Sequence, residues 1–315
     1  MKETITHSGV RNMKSPRTSL FVFLSLAATA CGSTSIKDPH ISIPPANSNP
    51  AAPAPEIKEE ELDLASGQFQ TTIQHNGVSV KLVINKPTTP SADVMMTFHG
   101  TVETDDKIVA SAQKTLDETK KMISRTNVLY ISVAYPEENL LMGDNLKHAE
   151  AALLWVKQKA NSALRIKTER IFLLGHSQGG YLVTRLNNLH STDGVIANAP
   201  GPLNFKLRCE LEESGQIPAS GNCQRMKAKY GSTKDNPNAY LERSLISHLT
   251  GFKSRILFTQ GMSDAKIQLT SWPVLKEKVK ACKNCAESEF IELDGKHPAL
   301  FDNSKGPEII NSFIK

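Results

Sequence analysis

From Gly67 onward the apolar residues of the chain fall into two rhythms. The stretch "QFQTTIQHNGVSVKLVIN" alternates polar and apolar positions on both sides of Asn76-Gly77, which predicts a β-hairpin. Short unbroken apolar runs then alternate with segments whose apolar residues recur every three or four positions. The runs "ADVMMTFHG", "NVLYISVAY", "RIFLLG", "GVIANAP", "RILFTQG" and "EFIEL" predict buried strands. Residues 105–125, 178–190, 271–281 and a segment near 306–315 predict helices, as does "DNLKHAEAALLWVKQKA" with Asp144 or Asn145 as its cap. Strands that are apolar throughout need cover on both faces. The expected fold class is therefore α/β, a mostly parallel sheet between layers of helices with the first hairpin as its antiparallel edge. Residues 202–250 break the rhythm. Their richness in Gly, Asn, Ser, Lys and Glu fits either a cap-like insertion beside the strand ends or a surface excursion.

Residues 1–66 follow neither rhythm. Lys2, Arg11, Lys14 and Arg17 precede the apolar run "LFVFLSLAA", a pattern expected of an export signal over residues 1–30. The run is too short for a permanent membrane span, and Met13 is an alternative start to Met1. "LAATAC" has two readings. Ala28-Thr29-Ala30 fits a general signal-peptidase site, and the whole stretch is similar to a bacterial lipobox in which Cys31 is lipidated and becomes the mature N-terminus. The polar, Pro-rich segment 31–66 reads as a tether and favours the second reading, with the protein held to a membrane surface at the cell envelope. A soluble secreted or periplasmic protein is the alternative.

The leader also explains the charge. The chain carries +5 overall, but its first 30 residues hold four basic residues against Glu3 alone, so the remainder is near neutral. That balance gives no footprint for a nucleic-acid partner. Apolar content of 39% over 315 residues suffices for a substantial core in the domain 67–315. No feature of the chain specifies an oligomeric state.

Export bears on the cysteines. Apart from Cys31 there are Cys209, Cys223, Cys282 and Cys285, an even set that an oxidising compartment would pair. Three connectivities are open, and proximity favours Cys209 with Cys223 and Cys282 with Cys285. "CKNC" closes a helical pattern and precedes a strand, which fits a structural bridge better than a redox pair. Zinc fits less well still, because no second ligand pair stands at finger spacing.

The chemistry concentrates at "RIFLLGHSQGGYLVTRL". Gly175-His176-Ser177-Gln178-Gly179 fits G-x-S-x-G and sits where a strand passes into a helix, the context in which this motif presents a nucleophile on a strained turn. A serine needs a base to take its proton. Asp264 follows the strand "RILFTQG" and His297 follows "EFIEL", which gives the order Ser…Asp…His with each residue at a strand end. Asp294 is a second candidate acid, and His190 and His248 compete as bases without following the last strand. Two backbone N–H groups would form an oxyanion hole, from Gln178 at the helix start and from Thr101, where Gly100 lets the chain turn after "VMMTFH". His99 reads as a loop brace, His176 as packed, and His148 as a solvated or half-buried helix residue. These groups suffice for acyl transfer, so no metal or organic cofactor is expected.

With "GHSQGGYL", "NPNAYLERSLISHLTGFKSRILFTQGMSD" and "ELDGKHPALF" in view, residues 78–315 resemble the α/β-hydrolase superfamily, most closely its prolyl-oligopeptidase-like and dienelactone-hydrolase-like branches. The resemblance implies Ser177, Asp264 and His297 as the catalytic triad. Two departures stand out: the oxyanion loop reads "HGTV" rather than a multi-glycine version, and no stretch is long enough for the propeller that restricts access in the oligopeptidases. An esterase acting on a small-molecule or polymer-borne ester is therefore the expected function. A peptidase of the same mechanism and a non-catalytic binding module on the same scaffold are the alternatives.

Overall fold

The computed structural model describes residues 66–315. The expectations for the signal segment, for Cys31 and for the tether lie outside these residues. Strands β1 (Gly67–His75) and β2 (Val78–Lys86) form the predicted hairpin, with Asn76 and Gly77 both at positive φ as a tight two-residue turn requires. There follow β3 (Ser91–Phe98), α1 (Ile108–Met122), β4 (Val128–Ala134), α2 (Leu146–Ala163), β5 (Lys167–His176), α3 (Gln178–Leu189) and β6 (Gly194–Asn198). After β6 come three short helices, α4 (Phe205–Glu213), α5 (Gly221–Tyr230) and α6 (Pro237–Leu241). The chain closes with β7 (Ile256–Gly261), α7 (Lys266–Lys280), β8 (Ser288–Leu293), α8 (Ala299–Asp302) and α9 (Gly306–Phe313).

The eight strands form one sheet in the order β1-β2-β4-β3-β5-β6-β7-β8. β1 and β2 pair antiparallel with each other, β2 pairs antiparallel with β4, and every other neighbour is parallel. Every residue of β4, β6 and β7 is buried, which is why these strands read as unbroken apolar runs. Their side chains divide between two cores. Leu129, Ile131 and Val133 of β4 join α2 and α3 on one face, whereas Val128, Tyr130 and Ala134 join α1 and α9 on the other.

The strand order reverses at β3. From β3 the chain runs through α1 to β4 on one side, then through α2 back across β3 to β5, and onward to β8. The crevice at the carboxyl ends of β3 and β5 is thus the topological switch point, where open α/β sheets leave room for a ligand.

Three sequence expectations need correction. The helix expected over 105–125 is a 3-10 turn at Asp105–Lys107 followed by α1. The helix expected at 271–281 begins at Lys266, and Pro273 lies within it at the cost of one backbone hydrogen bond. Asn145 does occupy the cap position of α2 but makes no capping bond; its Nδ2 donates to Gln178, and its Oδ1 is buried without a partner.

Residues 202–250 form a packed insertion. Phe205, Cys209, Cys223, Met226, Tyr240 and Leu245 all join the larger core. Asn204 caps α4 and Ser220 caps α5, each accepting a backbone N–H in the first turn. The insertion is tied to the loop before α2, where Arg225 donates to the Leu140 carbonyl at 2.9 Å and Arg243 to that of Met142 at 3.2 Å. Disulfides join Cys209 to Cys223 and Cys282 to Cys285, the pairing favoured by proximity.

The two bridges differ in what they constrain. Cys209–Cys223 closes a loop with a sequence separation of 14, worth about 3 kcal/mol in the chain-entropy model, whereas Cys282–Cys285 spans only 3. Replacing Cys209 and Cys223 by serine is expected to lower the Tm by about 6–12 °C in a thermal melt. The same change at Cys282 and Cys285 is expected to lower it by about half of that.

Candidate active site

Gly175-His176-Ser177-Gln178-Gly179 joins the end of β5 to the first turn of α3. Ser177 has φ 55° and ψ −117°, a conformation that residues with a Cβ rarely adopt. Three backbone hydrogen bonds pin it there. Its N–H donates to the Asn198 carbonyl at 2.9 Å, and its carbonyl accepts from Tyr181 and Gly201, each at 3.0 Å. The flanking glycines make the turn possible. A Cβ at residue 175 would collide with the Gly179 carbonyl, and one at 179 with the Phe98 carbonyl at the end of β3. Their absence lets α3 press directly onto both central strands.

Asp264 and His297 arrive from the loops after β7 and β8. His297 Nδ1 hydrogen-bonds Asp264 Oδ2 at 2.7 Å. The same carboxylate oxygen accepts from Gln260 Nε2 at 2.8 Å, and Oδ1 accepts the Ala265 N–H at 2.6 Å. The Asp264 side chain is only 5% exposed, against 37% for His297. Burial alone would raise the Asp264 pKa. The hydrogen bonds from His297 and Gln260 and the charge of His297 outweigh it and hold the carboxyl below its usual range. An ionised acceptor at Nδ1 leaves Nε2 as the nitrogen free to accept a proton.

His297 stands beside the elbow, its ring centroid 4.9 Å from that of His176. Among the described residues no hydrogen bond joins the Ser177 hydroxyl to His297; such contacts commonly tighten only once substrate is bound. The structure thus brings Asp264 and His297 into direct contact and sets the His297 ring against that of His176, the residue before Ser177. His176 is packed, as expected. Burial and then the neighbouring charge of His297 push its pKa down to about 4, so it stays neutral beside that ring. Its Nδ1 lies 3.1 Å from Asn198 Nδ2, and Asn198 in turn accepts from Thr259 Oγ1 at 3.0 Å.

The loop after β3 lies against the elbow. A Cβ at Gly100 would sit 3.4 Å from Ser177 Cβ. Neither the Thr101 nor the Gln178 backbone N–H meets a hydrogen-bond acceptor among the described residues, which leaves both free for a substrate oxygen. His99 does brace this loop. Its Nδ1 contacts the Gly100 carbonyl at 2.7 Å, its ring stacks on Tyr135 at 4.1 Å, and the Tyr135 hydroxyl donates to its carbonyl.

The competing candidates lie elsewhere. His190 pairs with Glu150, His248 with the Glu242 carbonyl, and Asp294 is exposed with no bond to His297. His148 is half-buried on α2. Among the described residues no cluster of three or more His, Cys, Asp or Glu side chains forms a metal-binding group.

Sequence reasoning missed Gln260, Asn198 and Glu137. The first two had a readable signal, a polar residue near the end of a mostly apolar strand. Glu137, in "YPEEN", reads as part of a solvated loop yet is 6% exposed.

Comparison with solved structures settles the architecture. The Pyrococcus furiosus esterase Pf2001 superposes with a TM-score of 0.58 at 12% identity, over 80% of this chain and 92% of that one. A thermostable esterase from Pseudomonas putida gives 0.56 at 17% identity, over 80% and 82%. The chain has the α/β-hydrolase fold. The thermophilic esterase Est2 of the planctomycete Thermogutta terrifontis gives 0.53 at 17% identity, over 80% and 92%. No family model matches the chain, and no curated protein matches it in sequence.

The α/β-hydrolase elbow makes a packing prediction. Gly179→Ala drives a Cβ into the Phe98 carbonyl and is expected to cost about 1–3 kcal/mol or more. Gly100→Ala meets only ordinary contacts and is expected to cost less than about 1 kcal/mol, with chemical denaturation of both variants as the measurement.

Proposed function

We propose that this chain is a serine hydrolase that cleaves carboxylic esters through an acyl-enzyme on Ser177. The observation that carries the reading is the Asp264–His297 hydrogen bond at 2.7 Å beside a serine held at positive φ. The esterases among its structural neighbours support the same reading.

In this mechanism Ser177 Oγ attacks the ester carbonyl carbon while His297 Nε2 takes the hydroxyl proton. Negative charge moves onto the carbonyl oxygen, where the Thr101 and Gln178 N–H groups receive it. The C–O bond to the alcohol then breaks, and His297 returns the proton to the departing oxygen. Water repeats the sequence with the acyl group on Ser177, releasing the acid and restoring the serine. Asp264, kept ionised, favours the tautomer with the proton on Nδ1 and stabilises the imidazolium formed in each half-reaction.

Ser177→Ala is expected to abolish fluorophosphonate labelling and to lower p-nitrophenyl ester hydrolysis by at least about 1,000-fold, with an unchanged circular dichroism spectrum. Retention of labelling would refute Ser177 as the nucleophile. A parallel panel of aminoacyl amides distinguishes an esterase from a peptidase: faster turnover of the amides would replace the first reading by the second.

We also propose, from the sequence of residues 1–66, that the mature chain starts at an acylated Cys31. The expected intact mass of the mature protein is that of residues 31–315 plus acyl chains, and an unmodified N-terminus would count against the anchor.

A further inference from the structure

The carboxylate of Glu137 joins the two arms of the site. It lies in the loop after β4, and Oε2 accepts the Val102 N–H at 2.8 Å, one residue beyond Thr101. Its second partner is the side chain of Gln178, the residue beyond Ser177. With the Gln178 amide oriented so that its nitrogen faces acceptors, that nitrogen reaches Glu137 Oε1 at 2.9 Å, Oε2 at 3.2 Å and Thr101 Oγ1 at 2.8 Å. In the same orientation the amide oxygen accepts from Asn145 Nδ2 at 2.7 Å, which is where the unused cap of α2 is engaged.

The surrounding loops are latched as well. Asp105 Oδ1 accepts the N–H groups of Glu137 at 2.8 Å and Glu138 at 3.0 Å, and the Asp105 N–H returns a bond to Glu138 Oε2 at 3.2 Å. Burying a carboxylate is a costly way to close a loop, since apolar packing or a neutral amide could do so without desolvating a charge. What a carboxylate adds is acceptance without donation. It can hold two N–H groups from two different strand ends at once.

We propose that Glu137 is a positioning residue for the oxyanion hole, holding the Thr101–Val102 peptide and Gln178 at fixed separation through one shared acceptor. The inference rests on the serine-hydrolase reading given above. It assigns Glu137 no contact with substrate. Its effect falls on where the two free N–H groups point when the carbonyl oxygen becomes an oxyanion, and therefore on the transition state rather than on ground-state binding.

The chemistry gives the role a pH signature. Burial pushes the Glu137 pKa up to about 8, opposed by the Val102 N–H, reinforced by the Asp105 charge and opposed again by Arg225 from α5. The remaining titratable neighbour, Tyr135, is held neutral by burial and donates to His99. Protonation turns one oxygen of the carboxyl into a donor, so the two N–H groups must share the other, uncharged oxygen and are held more weakly. The clamp is therefore tight above the pKa and looser below it.

The test compares wild type with Glu137→Gln on a p-nitrophenyl ester between pH 6 and 9.5. The variant is expected to lose about 10- to 100-fold in kcat with KM within about twofold, less than the loss on deleting an oxyanion donor outright. Wild-type kcat is expected to rise through pH 8, and the variant to lack that rise. The inhibition constant of a trifluoromethyl ketone, whose tetrahedral adduct places an oxyanion in the hole, is expected to weaken by the same factor as kcat/KM. Equal kcat and equal inhibition in the two proteins would overturn the proposal, as would a fall in Tm and activity with an unaltered pH profile. If Glu137→Gln does not fold, Gln178→Met cuts the same link while keeping the Gln178 backbone N–H. It is expected to show the same loss in kcat at constant KM, and wild-type kinetics there would equally overturn the role. Failure of the underlying reading looks different, because wild type itself would then neither label at Ser177 nor turn over ester.

Discussion

The site depends on one unfavourable backbone conformation. Ser177 occupies a left-handed φ because β5 must end and α3 begin within a single residue, and the neighbouring contacts leave the chain no other path. The strain is local, but what over-determines it is not. Asn198 and Gly201 hold the serine peptide from the β6 side, and the bare backbone of Gly179 lets the helix lie against Phe98 at the end of β3. These contacts set the serine between the loop after β3 on one flank and the loops after β7 and β8 on the other. Without the turn, the same sheet and helices would remain a stable sandwich with no chemistry.

Polar groups at the carboxyl ends of the strands form two buried supports around this turn. On one side Gln268 donates to Gln260 and to the Pro200 carbonyl, and Gln260 donates to Asp264. On the other, Asn145, Gln178, Glu137 and Val102 form a chain that ends beside Thr101. Both networks lie where geometry rather than stability is at stake, and the second leaves Asn145 Oδ1 buried without a partner. The insertion contributes from outside, through Arg225 and Arg243, which fasten it to the segment before α2.

Much of the architecture was legible because burial on both faces writes itself into a strand as an unbroken apolar run, and because Asn76-Gly77 encodes its turn directly. The Ser177 turn and the Asp264–His297 pair were legible for a related reason: each is a chemically distinctive residue just past such a run. The true start of α7 was obscured by Pro273, which reads as a first-turn residue but stands in the interior. Glu137 was invisible for a deeper reason. Its partners Val102 and Gln178 are 35 and 41 positions away, and no local pattern announces that a charged loop residue will be enclosed by segments brought together only by the β3 reversal.

The edge strand β8 touches the sheet only through β7, yet the loop after it supplies the imidazole. On the reading proposed above, a nascent chain can form the Ser177 turn once α3 has docked, but His297 is not in place until β8 is in register. Chemistry of the kind proposed is therefore withheld through synthesis and any passage in an unfolded state. On that reading, docking of β8 is what completes the site.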